Sequence, residues 1–328
     1  MKILVVGGAG FVGSHAAKTL ALAGHEPLVL DNLCAGHADA VRYGRLFVGD
    51  AGDPRAVGEV LAAHPCEAVM HFASHIRVDE SVSDPARYYA NNVGATLGLL
   101  EALRSAGVDR FIFSSTAAVY GNPRTVPIPE SHPLSPINPY GRSKLMVEEI
   151  LADYGAAYGL KAICLRYFNA AGADPDAELG ERHDPETHLI PLVLQAASGR
   201  RPGIAVYGRD YPTRDGTCVR DYVHVTDLAE AHLAALTCLN NGGAGGSFNL
   251  GAGIGHTVRE IIDTAMSVTG RKIAVRDEPR RPGDPPELVA DPRLAMKTFA
   301  WQPRFSDLET MLRHAWGWEV KAGGGGVC

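Results

Sequence analysis

The residues best suited to acid–base chemistry in this chain are a tyrosine and a lysine four positions apart, Tyr140 and Lys144. Residues 127–139 hold five prolines and predict an extended loop, and residues 145–158 predict a helix that this pair opens. Residues four apart lie on one face of a helix. Because an ammonium group stabilises a nearby phenolate, Lys144 is expected to lower the pKa of Tyr140. The spacing therefore predicts a general base.

The alternative is a surface tyrosine beside a lysine that lies along the helix. Two neighbouring features argue against it. The apolar residues 110–113 predict a buried strand that runs directly into hydroxyl side chains, including Ser114 and Thr116. A glycine-rich turn also precedes the pair, near the start of the chain. Both features are typical of a nucleotide-binding site next to a catalytic general base.

The first 31 residues predict a dinucleotide-binding unit. A short apolar strand leads into a turn that contains Gly7, Gly10 and Gly13, and a helix and a second strand ending at Asp31 follow. Glycines let backbone N–H groups reach a pyrophosphate at the helix N-terminus. Asp31 is placed to accept both hydroxyls of a ribose, and no arginine or lysine adjoins it, so NAD is favoured over NADP. The alternative is a tight turn that needs glycine for its shape alone.

Strands and helices alternate through residue 168 and predict an α/β fold, a doubly wound parallel sheet of the Rossmann type. Ligands bind such sheets at the carboxyl ends of the strands. Asp50 and Ala51 are therefore candidates for the adenine edge, and Phe72 and Ala73 for the diphosphate side. The alternatives are a solvated turn for Asp50 and plain core for Phe72.

The chain is expected to form an NAD-binding domain, residues 1–171, and a mainly substrate-binding part, residues 172–328. Residues 247–250 predict a strand that returns to the main sheet, whereas most of the second half is expected to form a smaller α/β substrate-binding domain. Residues 322–328 are glycine-rich and predict a disordered tail.

Composition excludes several classes of protein. The net charge of −6 gives no general attraction to nucleic acid or to anionic membranes, and no apolar run is long enough to span a bilayer. The chain enters its first strand at once, which leaves no room for a signal peptide. Six scattered cysteines predict reduced thiols and a cytoplasmic protein. The thirteen histidines show no metal-ligand spacing, so no metal is expected.

Two arginines in the second half, Arg220 and Arg281, are candidates for holding a diphosphate, because guanidinium groups match phosphate oxygens in pairs. Each on its own is as compatible with a solvated surface charge.

Several motifs resemble the extended short-chain dehydrogenase/reductase family. They are the glycines three residues apart, Thr116 before Tyr120 and Gly121, and the pair Tyr140 and Lys144. Further stretches are similar to the nucleotide-sugar 4-epimerases of that family, namely residues 31–33, 71–73, 91–93, 166–169, 208–217 and 219–224. The similarity extends to about residue 318.

This resemblance implies a set of binding residues. For NAD they are Gly7, Gly10, Phe11, Val12, Gly13, Asp31, Asn32, Asp50, Ala51, Phe72, Ala73, Asn91, Ser114, Tyr140, Lys144 and Tyr167. For a UDP-sugar they are Thr116, Tyr140, Phe168, Asn169, His188, Leu189, Ala205, Val206, Tyr207, Arg220, Arg281, Asp284 and Leu288. Among the latter, residues 205–207 would frame the uracil and Asp284 would bind its ribose.

The resemblance also implies reversible, NAD-dependent 4-epimerisation of UDP-glucose and UDP-galactose through a 4-keto intermediate, carried out by a homodimer. Tyr140 would take the proton of the C4 hydroxyl, Thr116 would orient that hydroxyl, and Lys144 would bind the nicotinamide ribose. The dimer would pair the helices predicted at 88–106 and 145–158.

Three positions depart from the best-known bacterial relatives. Ile76 stands where a lysine is common, His188 where an amide is common, and Leu288 where some members carry a bulky tyrosine that crowds position 2 of the sugar. Leu288 leaves N-acetylated sugars possible.

Other activities remain to be weighed. A 4-epimerase of UDP-N-acetylglucosamine, UDP-xylose, UDP-arabinose or UDP-glucuronate shares the same machinery. Related dehydratases and decarboxylases need a carboxylate directly after the threonine, where this chain has Ala117 and Ala118. A non-catalytic NAD-binding module would be expected to lose Tyr140 or Lys144, and both are present.

Overall fold

The computed structural model describes residues 1–281 and 284–323. In chain order its strands are β1 (Lys2–Val6), β2 (Glu26–Asp31), β3 (Arg45–Val48), β4 (Ala68–His71), β5 (Arg110–Thr116), β6 (Lys161–Tyr167), β7 (Asn169–Ala171), β8 (Ile204–Tyr207), β9 (Val219–His224), β10 (Gly246–Leu250), β11 (Gly255–Thr257), β12 (Val275–Glu278) and β13 (Glu287–Leu288). Its α-helices are α1 (Phe11–Leu22), α2 (Pro54–Ala63), α3 (Val78–Ser83), α4 (Pro85–Tyr88), α5 (Thr96–Ala106), α6 (Pro139–Tyr158), α7 (Leu189–Ala197), α8 (Val225–Asn240), α9 (Val258–Thr269), α10 (Arg293–Phe299) and α11 (Leu308–Gly323).

The main sheet has seven parallel strands in the order β10-β6-β5-β4-β1-β2-β3. Strand β1 explains why such strands are apolar throughout. Ile3 and Val5 belong to the core on one face of the sheet, and Leu4 and Val6 to the core on the other. Both faces are covered because successive side chains of a strand point to opposite sides. The predicted α/β, doubly wound sheet is confirmed.

Helices cover the two faces of this sheet. Leucines of α1 and α8 pack into the core on one face, and apolar side chains of α2, α5 and α6 into the core on the other. The order of strands reverses between β1 and β4, so the carboxyl ends of these two strands border the crevice where ligands of such sheets bind.

The second half of the chain contributes to both parts of the molecule. Strand β10 pairs with β6, so residues 246–250 return to the main sheet as predicted. Separate small sheets carry the remaining strands: β9 pairs with β7, β11 and β13, and β8 pairs with β12. Helices α7, α9 and α11 share a third hydrophobic core beneath them.

Two predicted elements differ from the structure. The single helix predicted at 88–106 is divided, because a π-helical segment, Tyr89–Ala95, joins α4 to α5. Such segments place an extra residue in a turn and often occur at functional sites. The apolar residues 273–275 also predict a strand, but β12 begins only at Val275, and Ile273 is buried in the third core.

The glycine turn after β1 depends on close backbone packing. Gly7 has a φ of +79°, and a methyl carbon on it would lie 2.4 Å from the amide nitrogen of Ala73. A methyl carbon on Gly13, in the first turn of α1, would lie 2.3 Å from the carbonyl oxygen of Gly7. Side chains at these positions would push α1 away from the sheet, so the residue type here is set by space.

Alanine variants of Gly7 and Gly24 distinguish this crowding from backbone strain. Both glycines have a positive φ, but a methyl carbon on Gly24, where φ is +80°, would have nothing within 4 Å. Gly24→Ala should lose only the ~1–2 kcal/mol of a left-handed residue. Gly7→Ala should lose a further ~1–3 kcal/mol, because the added methyl overpacks the turn. Urea unfolding measures both losses, and equal values would contradict the role assigned to the close packing.

Three remaining features bear on the sequence expectations. No helix in the described part of the chain is both long and apolar enough to cross a membrane. Cys34, Cys66, Cys164, Cys218 and Cys238 are all free thiols. The predicted tail at 322–328 lies mostly outside the described residues, and its first two residues complete α11.

Candidate active site

Tyr140 and Lys144 lie in the first two turns of α6. Asn138 caps this helix by accepting a hydrogen bond from the amide of Gly141 at 2.8 Å, and Pro139 occupies its first position. Proline is well tolerated there because the first helical N–H has no partner within the helix. The predicted placement of Tyr140 and Lys144 on one helical face is therefore confirmed.

Thr116 ends β5 and faces the start of α6. Its hydroxyl oxygen accepts a hydrogen bond from the amide of Ala118 at 3.2 Å and caps a short 3-10 turn, Ala117–Tyr120. A methyl carbon on Gly141 would lie 2.6 Å from the carbonyl oxygen of Ala118, so the absent side chain lets α6 approach this turn. The approach places Thr116 close enough to Tyr140 for its hydroxyl to influence the phenol.

Lys144 is almost completely buried, and its ammonium group is already bonded. Its Nζ donates to Ser74 Oγ and to the carbonyl oxygen of Ser114, both at 2.8 Å, and lies 4.8 Å from the centre of the Phe113 ring. Ser114 in turn shares a hydrogen bond with the hydroxyl of Tyr167. The ends of β5 and β6 are thus joined next to the catalytic candidates.

The structure does not show the expected lowering of the Tyr140 pKa by Lys144. Removal from water raises the pKa of Tyr140, and a hydrogen bond with Thr116 offsets part of this rise. Burial also lowers the pKa of Lys144 to about 7, against a smaller opposite effect of Glu148. Lys144 is therefore only partly charged near neutral pH, which weakens its effect on the phenol.

Sequence reasoning missed a buried polar network beneath these residues. Glu148 and Arg166 form an ion pair in which both side chains are 6% exposed, with Arg166 Nε 3.0 Å from Glu148 Oε1. Arg166 also donates to the hydroxyl of Tyr120 at 3.0 Å, and Ser115 and Ser247 donate to Glu148. One feature of the sequence could have indicated this network: Glu148 follows Lys144 by four residues, and so lies one turn later on the same face of α6.

Glu148→Gln keeps the shape of this side chain but removes its charge. We expect a loss of ~3–5 kcal/mol in the free energy of unfolding, because Arg166 would remain buried without a counter-charge. Glu101→Gln is the matched control, since Glu101 and Arg104 form an ion pair with side chains 50% and 48% exposed. It should leave the free energy of unfolding nearly unchanged, because water screens an exposed pair. Chemical denaturation compares the two, and similar losses would show that the buried pair contributes little.

The predicted NAD residues in the first half gather around the glycine turn. Asp31 accepts hydrogen bonds from the amides of Ala9 at 2.9 Å and Leu33 at 2.8 Å, which holds its carboxylate at the end of β2 beside the turn. Gly10 precedes α1, and no side chain among the described residues caps this helix. The amide groups of its first turn, at Phe11, Val12 and Gly13, are therefore suited to an anion.

The next strand ends hold the other first-half candidates. Asp50 closes a turn by accepting from the amide of Gly52 at 2.7 Å, and Ala51 is buried in the core. Phe72 packs its ring 4.8 Å from that of His232, in the core on the other side of the sheet. Ala73 contacts the glycine turn through its backbone. Phe72 is thus partly buried against this core.

The remaining polar candidates of this half make local contacts. Asn32 accepts from the amide of Cys34 at 3.1 Å, and Asn91 donates to the side chain of Asn92 at 2.9 Å. Asn92, which the sequence did not single out, is buried and donates to Ser143 Oγ at 3.0 Å, so it ties the π-helical segment to α6. Ile76, which replaces a common lysine, is exposed.

The substrate candidates of β6 and β7 continue from the catalytic residues. Phe168 and Leu288 pack against the cluster that contains Ala117 and Tyr120, and so connect β13 to the turn after Thr116. Asn169 donates to the carbonyl oxygen of Asp221 at 2.8 Å.

Asp221 was missed by the sequence analysis. It is fully buried, and its carboxylate accepts from the amides of Ala252, Gly253 and Ala290 at 2.8–3.0 Å. These bonds hold two chain segments, around residues 252–253 and at residue 290, against β9. Nothing in the sequence distinguished this aspartate from a surface one, because its partners are backbone groups far away in the chain.

Charged candidates for the UDP moiety form two pairs. Arg220 lies 3.7 Å from Asp284 and donates to the carbonyl oxygen of Pro285 at 2.9 Å. The guanidinium of Arg281 stacks over the ring of Tyr207, 4.0 Å from its centre. Leu288 is paired in register with Arg220. Arg281 thus contacts β8, and residues 284–288 contact β9.

The other two residues of β8 lie beside Tyr207 in different surroundings. Val206 is buried in the third core, and Ala205 is partly exposed and paired with Arg276 of β12.

His188 immediately precedes Leu189, the first residue of α7, and its Nδ1 contacts Glu181. Burial opposes protonation of this imidazole, but the carboxylate of Glu181 outweighs burial and raises the pKa of His188. His188 is half exposed, so its ring remains accessible.

Comparison with known proteins agrees with this arrangement. Residues 3–251 match the model of the NAD dependent epimerase/dehydratase family. This chain belongs to that family. A relative named UDP-glucose 4-epimerase from Rhizobium meliloti is 51% identical over 99% of both chains.

Two solved structures of similar proteins superpose on nearly the whole of this chain. UDP-glucose 4-epimerase from Brucella ovis, in complex with NAD, is 52% identical and superposes with a TM-score of 0.95 over 96% of this chain and 97% of that one. The UDP-Glc/GlcNAc 4-epimerase from Campylobacter jejuni is 43% identical, with a TM-score of 0.85 over 98% and 99% of the two chains.

The cofactor of the epimerase/dehydratase family is NAD, and the residues present fit it. A methyl carbon on Gly10 would have no protein atom closer than 3.4 Å, unlike those on Gly7 and Gly13, so packing within the protein does not require a glycine here. Its absent side chain leaves the start of α1 open to a diphosphate. Asp31, held by two backbone amides, retains lone pairs for ribose hydroxyls.

Proposed function

We propose that this protein catalyses the reversible 4-epimerisation of UDP-glucose and UDP-galactose with NAD. The observation that carries the proposal is the close approach of α6 to the end of β5, which groups Tyr140, Thr116 and Lys144 beside the glycine turn. Full-length similarity to proteins named UDP-glucose 4-epimerase supports the sugar nucleotide as substrate.

Tyr140 is proposed as the group that takes and returns the proton of the C4 hydroxyl. Thr116 holds the same hydroxyl in line, since its own hydroxyl already interacts with the phenol. Bound NAD supplies a hydride acceptor for C4 and a positively charged ring that favours the phenolate. Lys144, fixed by Ser74 and Ser114, is placed to bind the adjacent ribose and to move toward its charged form as phenolate develops.

Inversion requires that the 4-keto sugar turn within the site and receive hydrogen on its other face. The UDP moiety would remain held meanwhile, and we assign this task to Arg220, Arg281 and Asp284. These residues are distant in the chain from the catalytic residues and contact strands of the small sheets. We therefore expect them to bind UDP in either orientation of the sugar. Asn169 and His188 are proposed for the diphosphate and sugar side.

For the cofactor we propose the glycine turn, with Phe11 and Val12, for the diphosphate. Asp31 and Asn32 are proposed for the adenosine ribose, and Asp50 and Ala51 for the adenine edge. The backbone of Phe72 and Ala73 would line the diphosphate, and Asn91, Ser114 and Tyr167 would complete the nicotinamide side. This set joins residues 1–171 into one NAD-binding unit, with residues 172–328 mainly binding substrate.

Tyr140→Phe tests the proposed base. Removing the hydroxyl should lower kcat for UDP-galactose by ~10²–10⁴-fold, as loss of a general acid–base group does, while bound NAD is retained. Tyr158→Phe, at the exposed end of the same helix, is the control and should leave kcat unchanged. Activity of Tyr140→Phe close to that of the wild type would reject the assignment.

N-acetylated sugars are the second candidate substrates, because Leu288 occupies a position beside Phe168 where a larger side chain would narrow the site. The similar Campylobacter jejuni protein is named for both glucose and N-acetylglucosamine substrates.

Sugar analysis after incubation with UDP-glucose, UDP-N-acetylglucosamine and UDP-xylose in turn separates these possibilities. We expect galactose from UDP-glucose, and some conversion of UDP-N-acetylglucosamine to its N-acetylgalactosamine epimer. Conversion of UDP-xylose alone would reject the proposed substrate.

A cytoplasmic homodimer completes the proposal. The five described cysteines are free, which suits a reducing compartment. Leu97 of α5 and Met146 of α6 are exposed apolar residues on the helices predicted to pair across a two-fold axis.

A further inference from the structure

Four side chains in the segment before α7 converge on one point. Glu181, His183, Glu186 and His188 each direct a nitrogen or oxygen atom to it, and these four atoms all lie within 4.8 Å of one another. His183 Nδ1 is 3.1 Å from Glu181 Oε1 and 3.7 Å from Glu186 Oε1. His188 Nδ1 is 3.8 Å from Glu186 Oε1 and also contacts Glu181.

The two carboxylates are largely removed from water, and Glu186 Oε1 accepts hydrogen bonds from the amides of Thr187 at 2.8 Å and His188 at 2.9 Å. Both Glu181 and Glu186 have side chains that are only 5% exposed. Within the described residues, the ion-pair partners of these carboxylates are the two histidines, and no lysine or arginine pairs with either. Buried carboxylates are costly unless a cation or hydrogen-bond donors compensate them.

Hydrogen bonds among the four residues do not satisfy His183. Its Nδ1 is inaccessible to solvent and forms no hydrogen bond within the described chain, although Glu181 Oε1 is only 3.1 Å away. The nitrogen is close to the oxygen but is not oriented to bond with it. A metal ion between His183 Nδ1 and Glu181 Oε1 would be coordinated by a lone pair from each atom.

We propose that Glu181, His183, Glu186 and His188 bind a divalent transition-metal ion, with zinc as the best match. Zinc takes four ligands at about 2.0–2.2 Å, which places the ligand atoms of a tetrahedron about 3.4 Å apart. Three of the separations, 3.1, 3.7 and 3.8 Å, bracket this value, whereas His188 Nδ1 and Glu181 Oε1 are in direct contact and would move apart around an ion. Imidazole nitrogens disfavour magnesium and calcium, which prefer oxygen ligands. Two glutamates and two neutral histidines balance the charge of the ion.

The segment is held in place by contacts that do not involve the four side chains. Trp318 of α11 donates to the carbonyl oxygen of Glu181 at 3.2 Å, and His37 Nε2 lies 2.9 Å from the carbonyl oxygen of Arg182. Arg182 also pairs with Asp39. The site is therefore largely formed before an ion binds, and loss of one ligand should not unfold the segment.

The ion would fix the entry to α7 and the orientation of His188. With Nδ1 of His188 directed to the ion, Nε2 on the far side of the ring stays available to the substrate. The ion has a structural and positioning role in this proposal, which does not depend on the proposed epimerase activity.

Sequence reasoning expected no metal, because the histidines show no familiar ligand spacing. The four residues lie within eight positions of an irregular segment, and neither helical nor strand periodicity relates them. Only the path of the backbone between Glu181 and His188 turns them toward each other.

Zinc titration of the full chain without a histidine tag tests the proposal. After chelator treatment and dialysis, isothermal titration calorimetry with zinc chloride should show one zinc per chain. His183→Gln and Glu186→Gln should each weaken zinc binding at least tenfold, since loss of even an outer-shell partner costs about 10–100-fold in affinity. His256→Gln is the matched control, because His256 is partly buried and lies 3.9 Å from a single carboxylate, that of Glu260.

A second measurement guards against misfolded variants. Zinc should raise the Tm of the wild type and of His256→Gln but not of His183→Gln or Glu186→Gln, because a ligand stabilises only the state that binds it. Absence of stoichiometric zinc in the wild type would overturn the proposal whatever the variants do. Unchanged zinc affinity in both ligand variants would also overturn it, by placing the ion elsewhere.

Discussion

The ion pair of Glu148 and Arg166 lies beneath the candidate active site, where water does not reach it. Through Ser115, Tyr120 and Ser247 it joins helix α6 to strands β5, β6 and β10. A buried pair of this kind contributes less net stability than its number of bonds suggests, because both charges lose their hydration. Its value is geometric, since few arrangements of α6 satisfy all of its partners.

The catalytic candidates are positioned by this arrangement. Tyr140 and Lys144 project from the same helix as Glu148, and Ser114 and Thr116 flank Ser115 on β5. Ser115 points to the opposite face of β5 from Ser114 and Thr116, whereas Glu148 lies one turn after Lys144 on the same face of α6. The buried network therefore continues along the helical face that carries the reactive groups. Gly141 completes the contact by allowing α6 to approach the end of β5.

Buried acids also organise the substrate side, with different partners. Asp221 is surrounded by backbone amides and holds two chain segments against β9. Glu181 and Glu186 face two histidines, and Glu186 accepts from two backbone amides as well. Backbone amides satisfy a carboxylate through hydrogen bonds alone, whereas two imidazoles facing two carboxylates form a set of donors for a metal ion. This difference separates a structural carboxylate from a candidate metal ligand.

Local sequence determined the elements and the identity of the reactive groups. Apolar runs specified the parallel strands, the glycines at 7, 10 and 13 specified a turn without side chains, and the four-residue spacing placed Tyr140 and Lys144 on one face. Each of these follows from interactions between residues close in the chain. The pKa of Tyr140 did not, because it depends on how far the folded chain removes the phenol from water.

Tertiary structure alone decided the contacts between distant residues. Glu148 meets Ser247, Asn92 meets Ser143, and Asp221 meets Ala290, over separations that no local periodicity records. The convergence of Glu181 with His188 is short in sequence but depends on an irregular backbone path. Sequence by itself therefore determined which chemistry the chain carries, and folding decided the surroundings of each group, because burial and partner geometry arise only when distant segments pack together.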